Sequence, residues 1–334
     1  MDTNKESTNT NASASLAGWD FQINAAIVLF MLNLKETKAI RVEGGIEDIE
    51  ITLNDDTKIY SQSKHVADLY NYSTVREHLV NALRTLNTAS SRSDVSQLIY
   101  VTNSHNPFSD QRTISFFTGR TELSFEELPP ICKRKVYDLI AKNHYDTLDL
   151  NKLSVLVIPF YGRKESNKYK EIKRAVEEVL ADLNVNSADV ISKILHIWQR
   201  DFFQNATKTI VTINLSKKNL LWALIVILME KADSITYKMN CNEDDLEFVQ
   251  SRYSELINYQ TLNFELITKV LADYNKNKIM LSRFIEENWR HYLYIVESLG
   301  NDSAEIHAIL VKLILYKILT QRKAINEIKV EVGL

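Results

Sequence analysis

Between Val42 and His65 the chain reads VEGGIEDIEITLNDDTKIYSQSKH, and Glu43, Asp48, Gln62 and Lys64 within it could do chemistry together. The stretch alternates with period two on either side of the turn Asn54-Asp55-Asp56-Thr57, the pattern of a β-hairpin. On a strand, residues two apart share a face. Ile46, Asp48 and Glu50 therefore fall on one side, with Glu47, Ile49, Ile51 and Leu53 on the other. On the return strand Tyr60, Gln62 and Lys64 face together. A register that pairs even positions with even ones gathers Asp48, Gln62 and Lys64, whereas a one-residue slip sends Asp48 to the opposite face. Such a group suits metal-assisted phosphodiester hydrolysis. Mg²⁺, or Mn²⁺, takes oxygen ligands. Asp48 offers a carboxylate, the Gln62 side-chain carbonyl or the Ser63 backbone carbonyl a neutral oxygen, and Glu43 is near enough in sequence to join. Lys64 could hold the attacking water or neutralise charge building on the phosphate. Gly44 and Gly45 would let the chain kink so that Glu43 turns toward the same ion. The plain alternative is a solvated hairpin face, and the spacing alone does not exclude it.

The elements that must position these groups follow from periodicity. LAGWDFQINAAIVLFMLNLKE is apolar all round, which reads as a largely buried helix from about Asp20 to Leu34. KAIRVEGG is a short strand, and STVREHLVNALRTLNT a helix with Ser73 as N-cap and an apolar face of Val75, Leu79, Val80, Leu83 and Leu86. SQLIYVTNS and LSVLVIPF are buried-type strands, TISFFTG is a candidate strand, and a helix is expected over Ile131 to Asn143. The first half is thus a mixed α/β layer. After about residue 165 nearly everything reads as helix, with TKTIVTINL as a lone candidate strand. The expected division is a disordered tail over 1–15, an α/β domain over 16–165 and a helical region over 166–334.

Composition narrows the classes. The 334 residues carry a formal charge of −3, so a nucleic-acid site must be a local patch or arise by assembly. Cys132 and Cys241 stand far apart, which points away from a disulfide scaffold and toward a reducing cytoplasm. The polar opening residues have no signal-peptide core, and the ten apolar residues Leu220 to Met229 are half what a membrane crossing needs. No glycine lies in a phosphate loop, and the histidines form no metal-binding pattern. His65, beside Lys64, points to the other strand face and reads as structural. Arg163 to Arg174 holds six basic residues against two acidic ones. Its Arg163, Lys164 and Lys168 could follow a DNA backbone, as could Arg76 and Arg84 on the helix after the hairpin. The apolar helix Ile309 to Leu319 and the aromatic stretch before it read as bundle core or as an assembly surface.

One resemblance draws these features together. Gly18, Trp19, Phe21 and Gln22 opening the first helix, Glu43 ending a strand, Glu47-Asp48, Gln62-Ser63-Lys64 and the strand before Thr102-Asn103 resemble the nuclease domain of CD-NTase-associated dsDNA endonucleases. That domain belongs to the restriction-endonuclease-like PD-(D/E)xK superfamily. The resemblance covers about residues 16 to 105, extending toward 165. It implies an α/β fold with a mixed sheet flanked by helices, with Asp48 as central metal ligand, Gln62 in place of the second acid as in Mrr-like enzymes, and Lys64 as the catalytic lysine. It further implies Glu43 as a metal ligand and Gln22 as an accessory. The remaining helical residues have too few strands for that family's cyclic-oligonucleotide sensor. Control would then come from outside, as in effector subunits of Lamassu-like or HerA-associated anti-phage systems. The implied partners are double-stranded DNA, an SMC-like or HerA-like ATPase, and further copies of the chain, with no membrane. A non-catalytic nuclease-like module that binds DNA ends or partner proteins is the competing expectation.

Overall fold

The computed structural model describes residues 7–162, 164–185, 187–208, 215–230, 249, 264–277, 279–296 and 303–334. They form two compact units. One comprises Met1–Asp182 and Asn186–Lys217, the other Leu183–Val185 and Lys218–Leu334. The sheet unit therefore runs on past residue 165 to Lys217.

The first unit is built on a seven-stranded mixed sheet: β1 (Thr37–Val42), β2 (Ile49–Leu53), β3 (Lys58–Lys64), β4 (Val95–Thr102), β5 (Thr121–Ser124), β6 (Leu153–Val157) and β7 (Leu215–Ser216). Their spatial order is β5-β6-β4-β3-β2-β1-β7. The run β1-β2-β3 is antiparallel, and β3, β4 and β6 are parallel. β5 and β7 pair antiparallel with β6 and β1 at the two edges. β3 is thus the central strand, and five of its seven residues, Ile59 to Ser63, are buried.

Helix α1 (Ser7–Leu32) explains its all-round apolarity by burial, since Phe21 and Ala25 to Phe30 are wholly inaccessible. It starts well before Asp20, so Ser7 to Ser15, expected in a disordered tail, are helical. Ala14–Leu32 is long and apolar enough to cross a membrane, but packing inside this unit accounts for its composition. α1 lies on the sheet face where Phe21 meets the rings of His65 and Phe160. Helices α2 (Tyr72–Ser90) and α3 (Pro130–Asn143) cover the other face, where Leu79, Leu83, Leu86 and Val136 pack with Tyr60 and Tyr100. α2 is capped by Asn71, whose side chain accepts from Thr74 N–H, two residues earlier than the expected Ser73. The stretch read as the strand TISFFTG is a 3₁₀ segment, Gln111–Phe117. A short α4 (Glu165–Lys168), then α5 (Lys170–Asp182) and α6 (Ala188–Ala206), complete the helices before β7. Of the lone candidate strand, residues 209–214 lie outside the described residues, and Leu215–Ser216 pair with β1.

Among its described residues the second unit is mainly helical. α7 (Lys217–Glu230) leads into it, followed by α8 (Phe264–Asn277), α9 (Leu281–Asn288), a 3₁₀ segment (Trp289–Ile295), α10 (Ala304–Thr320) and α11 (Arg322–Glu331). Leu310 to Leu319 of α10 pack at its centre against Ile267, Phe284 and Tyr292, which gives the apolar stretch the ordinary role of bundle core.

Candidate functional site

The site lies at the carboxyl end of β3, beside the carboxyl end of its parallel neighbour β4, where open α/β sheets present their ligand crevices. A central strand covered on both faces is normally a run of apolar side chains. Here its second half is Ser61-Gln62-Ser63, all buried. The β2–β3 register pairs Ile49 with Ser61 and Glu50 with Tyr60, so even positions oppose even ones. Asp48 arrives at Gln62 as a result. Its Oδ2 accepts from Gln62 Nε2 and, at 3.0 Å, from the Ser63 backbone N–H.

The carboxylate is held by a tight turn from Glu43 to Asp48. Glu43 N–H donates to the Asp48 carbonyl at 2.8 Å and Gly44 N–H to the Glu47 carbonyl at 3.0 Å. The left-handed residue here is Glu43 itself, with φ 53°, while neither Gly44 nor Gly45 has positive φ. The expected glycine kink is therefore carried by a glutamate, at a cost of about 1 kcal/mol. Gly44 is needed for another reason. A β-carbon there would sit 2.1 Å from Glu50 Oε1, which accepts from the N–H groups of Ile46 and Glu47. From α1, Gln22 Nε2 clasps the turn, donating to Glu43 Oε1 at 2.8 Å and to the Asp48 carbonyl at 3.1 Å. Glu43 and Gln22 thus belong to the frame around Asp48, with the Glu43 carboxylate turned to Gln22.

Strand alternation, carried back to Ile46, assigns Glu47 to the face opposite Asp48. The structure differs because β2 begins only at Ile49, so Glu47 belongs to the turn. Its side chain is directed inward, 3% exposed, and neither carboxylate oxygen has a hydrogen-bond partner. The nearby Thr85 hydroxyl, on α2, is spent on Gln62 Oε1 at 2.8 Å and the Ala82 carbonyl at 3.1 Å. Burial, then the Asp48 charge, push the Glu47 carboxyl up to about 8, while the adjacent Thr85 hydroxyl and Lys64 oppose the rise. Burial likewise pushes Asp48 up to about 6, with Glu43 adding to the rise while Lys64, the Ser63 N–H and Gln62 oppose it. Sequence reasoning also missed two α2 residues that look onto β3. Thr85 braces Gln62, and seven residues earlier His78 lies near Lys64, with a buried, unpartnered Nδ1 and a pKa lowered by burial and that lysine. Their spacing of seven, two helical turns, was the available signal.

Lys64 is half-buried, and its ammonium makes no hydrogen bond or ion pair among the described residues, although its charge acts on Asp48, Glu47 and His78. Just beyond it, buried Asn103 ties the strand ends together. It accepts from Val66 N–H at 2.7 Å and donates to the carbonyls of Val66 and Phe160 at 3.0 and 3.3 Å. His65 faces Phe21 and Phe160 on the α1 side, and burial lowers its pKa to about 4.

The basic residues separate. Arg76 and Arg84 are exposed on α2, and Lys164 is exposed before α4. Lys168 is instead paired with Asp20, its ammonium over the rings of Phe160 and Tyr169. Arg163 lies outside the described residues.

Among the described residues no group of three or more His, Cys, Asp or Glu side chains is arranged to hold a metal ion. The donor types nevertheless fit a hard divalent cation, since Asp48 is desolvated and Glu47 is an orphaned buried carboxylate. As arranged here, Gln62 presents its amide nitrogen to Asp48 and its oxygen to Thr85. Turning that amide over would offer Oε1 to a cation and leave Nε2 for Thr85 Oγ1, a hydroxyl that accepts as readily as it donates.

No protein-family model matches this chain, and neither the curated proteins nor the solved structures yield a match.

Proposed function

We propose that this chain is a metal-dependent DNA endonuclease with a restriction-endonuclease-like α/β domain, acting as the effector of an anti-phage defence complex. The observation that carries the reading is the meeting of Asp48, Gln62 and Lys64 at the polar end of a buried central strand. Folding alone would favour apolar groups there, so the polar set calls for a use. Mg²⁺ or Mn²⁺, when bound, would polarise the scissile phosphate and lower the pKa of its water. Asp48, with Gln62 or the Ser63 carbonyl, would hold that ion, and Glu43 and Gln22 keep the Asp48 turn in place. Lys64, with its ammonium unengaged among the described residues, would hold the attacking water or neutralise charge on the phosphate. Arg76, Arg84 and Lys164 are the exposed cations available to the DNA backbone. The helical unit would serve assembly and docking to an SMC-like or HerA-like ATPase, since cutting both strands needs two active sites.

The test is plasmid cleavage by the assembled protein with Mg²⁺ or Mn²⁺. Asp48→Ala and Lys64→Ala are each expected to abolish cutting while leaving the circular dichroism unchanged. Full cutting by both variants would refute the reading. A second reading, a non-catalytic module that binds DNA ends or partners, is favoured by one observation. Asp48 is already satisfied by Gln62 and Ser63. It expects DNA binding that is indifferent to divalent ions.

A further inference from the structure

We propose that Glu47 is the second carboxylate ligand of the cation held at Asp48, standing in for the acid that Gln62 replaces. The inference rests on the metal-dependent reading above and deepens it. Gln62 supplies no charge, so the expected ligand set contains one firm carboxylate, Asp48, with Glu43 turned away to Gln22. A cation such as Mg²⁺ is weakly held by so little charge.

The turn holds the Glu47 main chain in place. The bonds from Glu43 and Gly44 close the turn, and Glu50 takes the N–H groups of Ile46 and Glu47. With its own backbone so fixed, Glu47 sends its side chain inward, beside Asp48 and within the influence of Lys64 and Thr85. Those neighbours are the site itself. A carboxyl group buried to 3% exposure with both oxygens unpartnered is an arrangement that folded proteins reserve for a protonated acid with an acceptor or for a metal ligand. Against the first, the Thr85 hydroxyl beside this carboxyl is already engaged with Gln62 Oε1 and the Ala82 carbonyl. A purely structural role would be better served by glutamine or leucine at this position. A cation between Glu47 and Asp48 would give the orphaned oxygens a partner and offset the charge of the two adjacent acids.

The test is Mn²⁺ binding to the chelator-treated full-length protein, read from the free-ion signal in electron paramagnetic resonance. It does not depend on activity. The wild type is expected to bind Mn²⁺, Glu47→Gln to weaken binding about tenfold or more, and Asp48→Asn to do at least as much. Glu47→Asp, which keeps the charge on a shorter arm, is expected to fall between wild type and Glu47→Gln, and it serves if the glutamine variant does not fold. Wild-type affinity in Glu47→Gln, or in Glu47→Asp where that is the usable variant, together with loss in Asp48→Asn, would overturn the assignment of Glu47 and leave the metal-dependent reading standing. No binding by the wild type at millimolar Mn²⁺ would overturn both.

Discussion

Glu47 makes a prediction about the metal-free protein that needs no enzyme assay. Its carboxyl has a folded pKa of about 8 against 4.5 when free, because burial and Asp48 disfavour the charge. An acid raised in this way lets the native state keep a proton that the unfolded chain has released. Stability from this group is therefore complete below pH 4.5 and is lost as the pH rises through about 8. Asp48 acts in the same direction over the lower window from 3.8 to about 6. At pH 7, keeping the proton on Glu47 costs about 3 kcal/mol relative to an unfolded chain that has lost it. Glu47→Gln imitates the protonated form without that cost. The variant should therefore be more stable than wild type by about 3 kcal/mol at pH 7, and the advantage should vanish at pH 4.5. Hydrogen exchange of peptides from β2 and β3, in chelator, reads this locally and avoids a single unfolding transition for a two-unit chain. Protection in the variant should exceed wild type by about a hundredfold at pH 7, each tenfold being about 1.4 kcal/mol. Equal protection at both pH values, or weaker protection in the variant at pH 7, would refute the argument that Glu47 is an uncompensated buried acid.

Gly44→Ala should destabilise the sheet unit by about 1–3 kcal/mol, because a β-carbon 2.1 Å from Glu50 Oε1 drives that carboxylate off two backbone N–H groups. In a double-mutant cycle with Glu50→Ala by urea unfolding, the two losses should be clearly less than additive. Asn103→Ala removes three hydrogen bonds to the ends of β3 and β6 and should cost about 3 kcal/mol, with exchange at Val66 rising more than elsewhere. Thr85→Val keeps the shape but strips Gln62 Oε1 of its donor; about 1 kcal/mol of stability should go, and Mn²⁺ affinity should fall if the amide must turn over to bind.

The hairpin was legible because alternation and the Asn54–Thr57 turn specify its register. Shifting β3 by one residue would bury Lys58 in place of Ile59, and the observed pairing of Ile51 with Ile59 avoids this. Periodicity also found α2, whose buried face is Val75, Leu79, Ala82, Leu83 and Leu86, and the two parallel strands. It failed where pairing stops rather than where it runs. Alternation carried back to Ile46 put Glu47 on the wrong side, since nothing in single residues says that the ladder begins at Ile49. The edge strand β5, four residues of mixed character, left too short a signal, and Phe116-Phe117 imitated a strand inside a 3₁₀ segment. The limit near residue 165 rested on the loss of strands from the pattern, whereas compactness depends on what α5 and α6 pack against, which is α1.

The order of the strands explains why the polar groups gather where they do. β3 sits between the antiparallel hairpin on one side and the parallel strands on the other, so its carboxyl end is approached both by the turn before β2 and by α2. The turn delivers Glu47 and Asp48, the strand Gln62 and Lys64, and the helix His78 and Thr85. Replacing these six groups with apolar ones would extend the surrounding core and, on burial alone, stabilise it. A fold that instead leaves the Glu47 carboxyl without a hydrogen bond and the Lys64 ammonium without a close ion pair among the described residues is less stable than its own topology allows. On the metal-dependent reading proposed above, a cation and a phosphate that satisfy both groups would recover that deficit on binding.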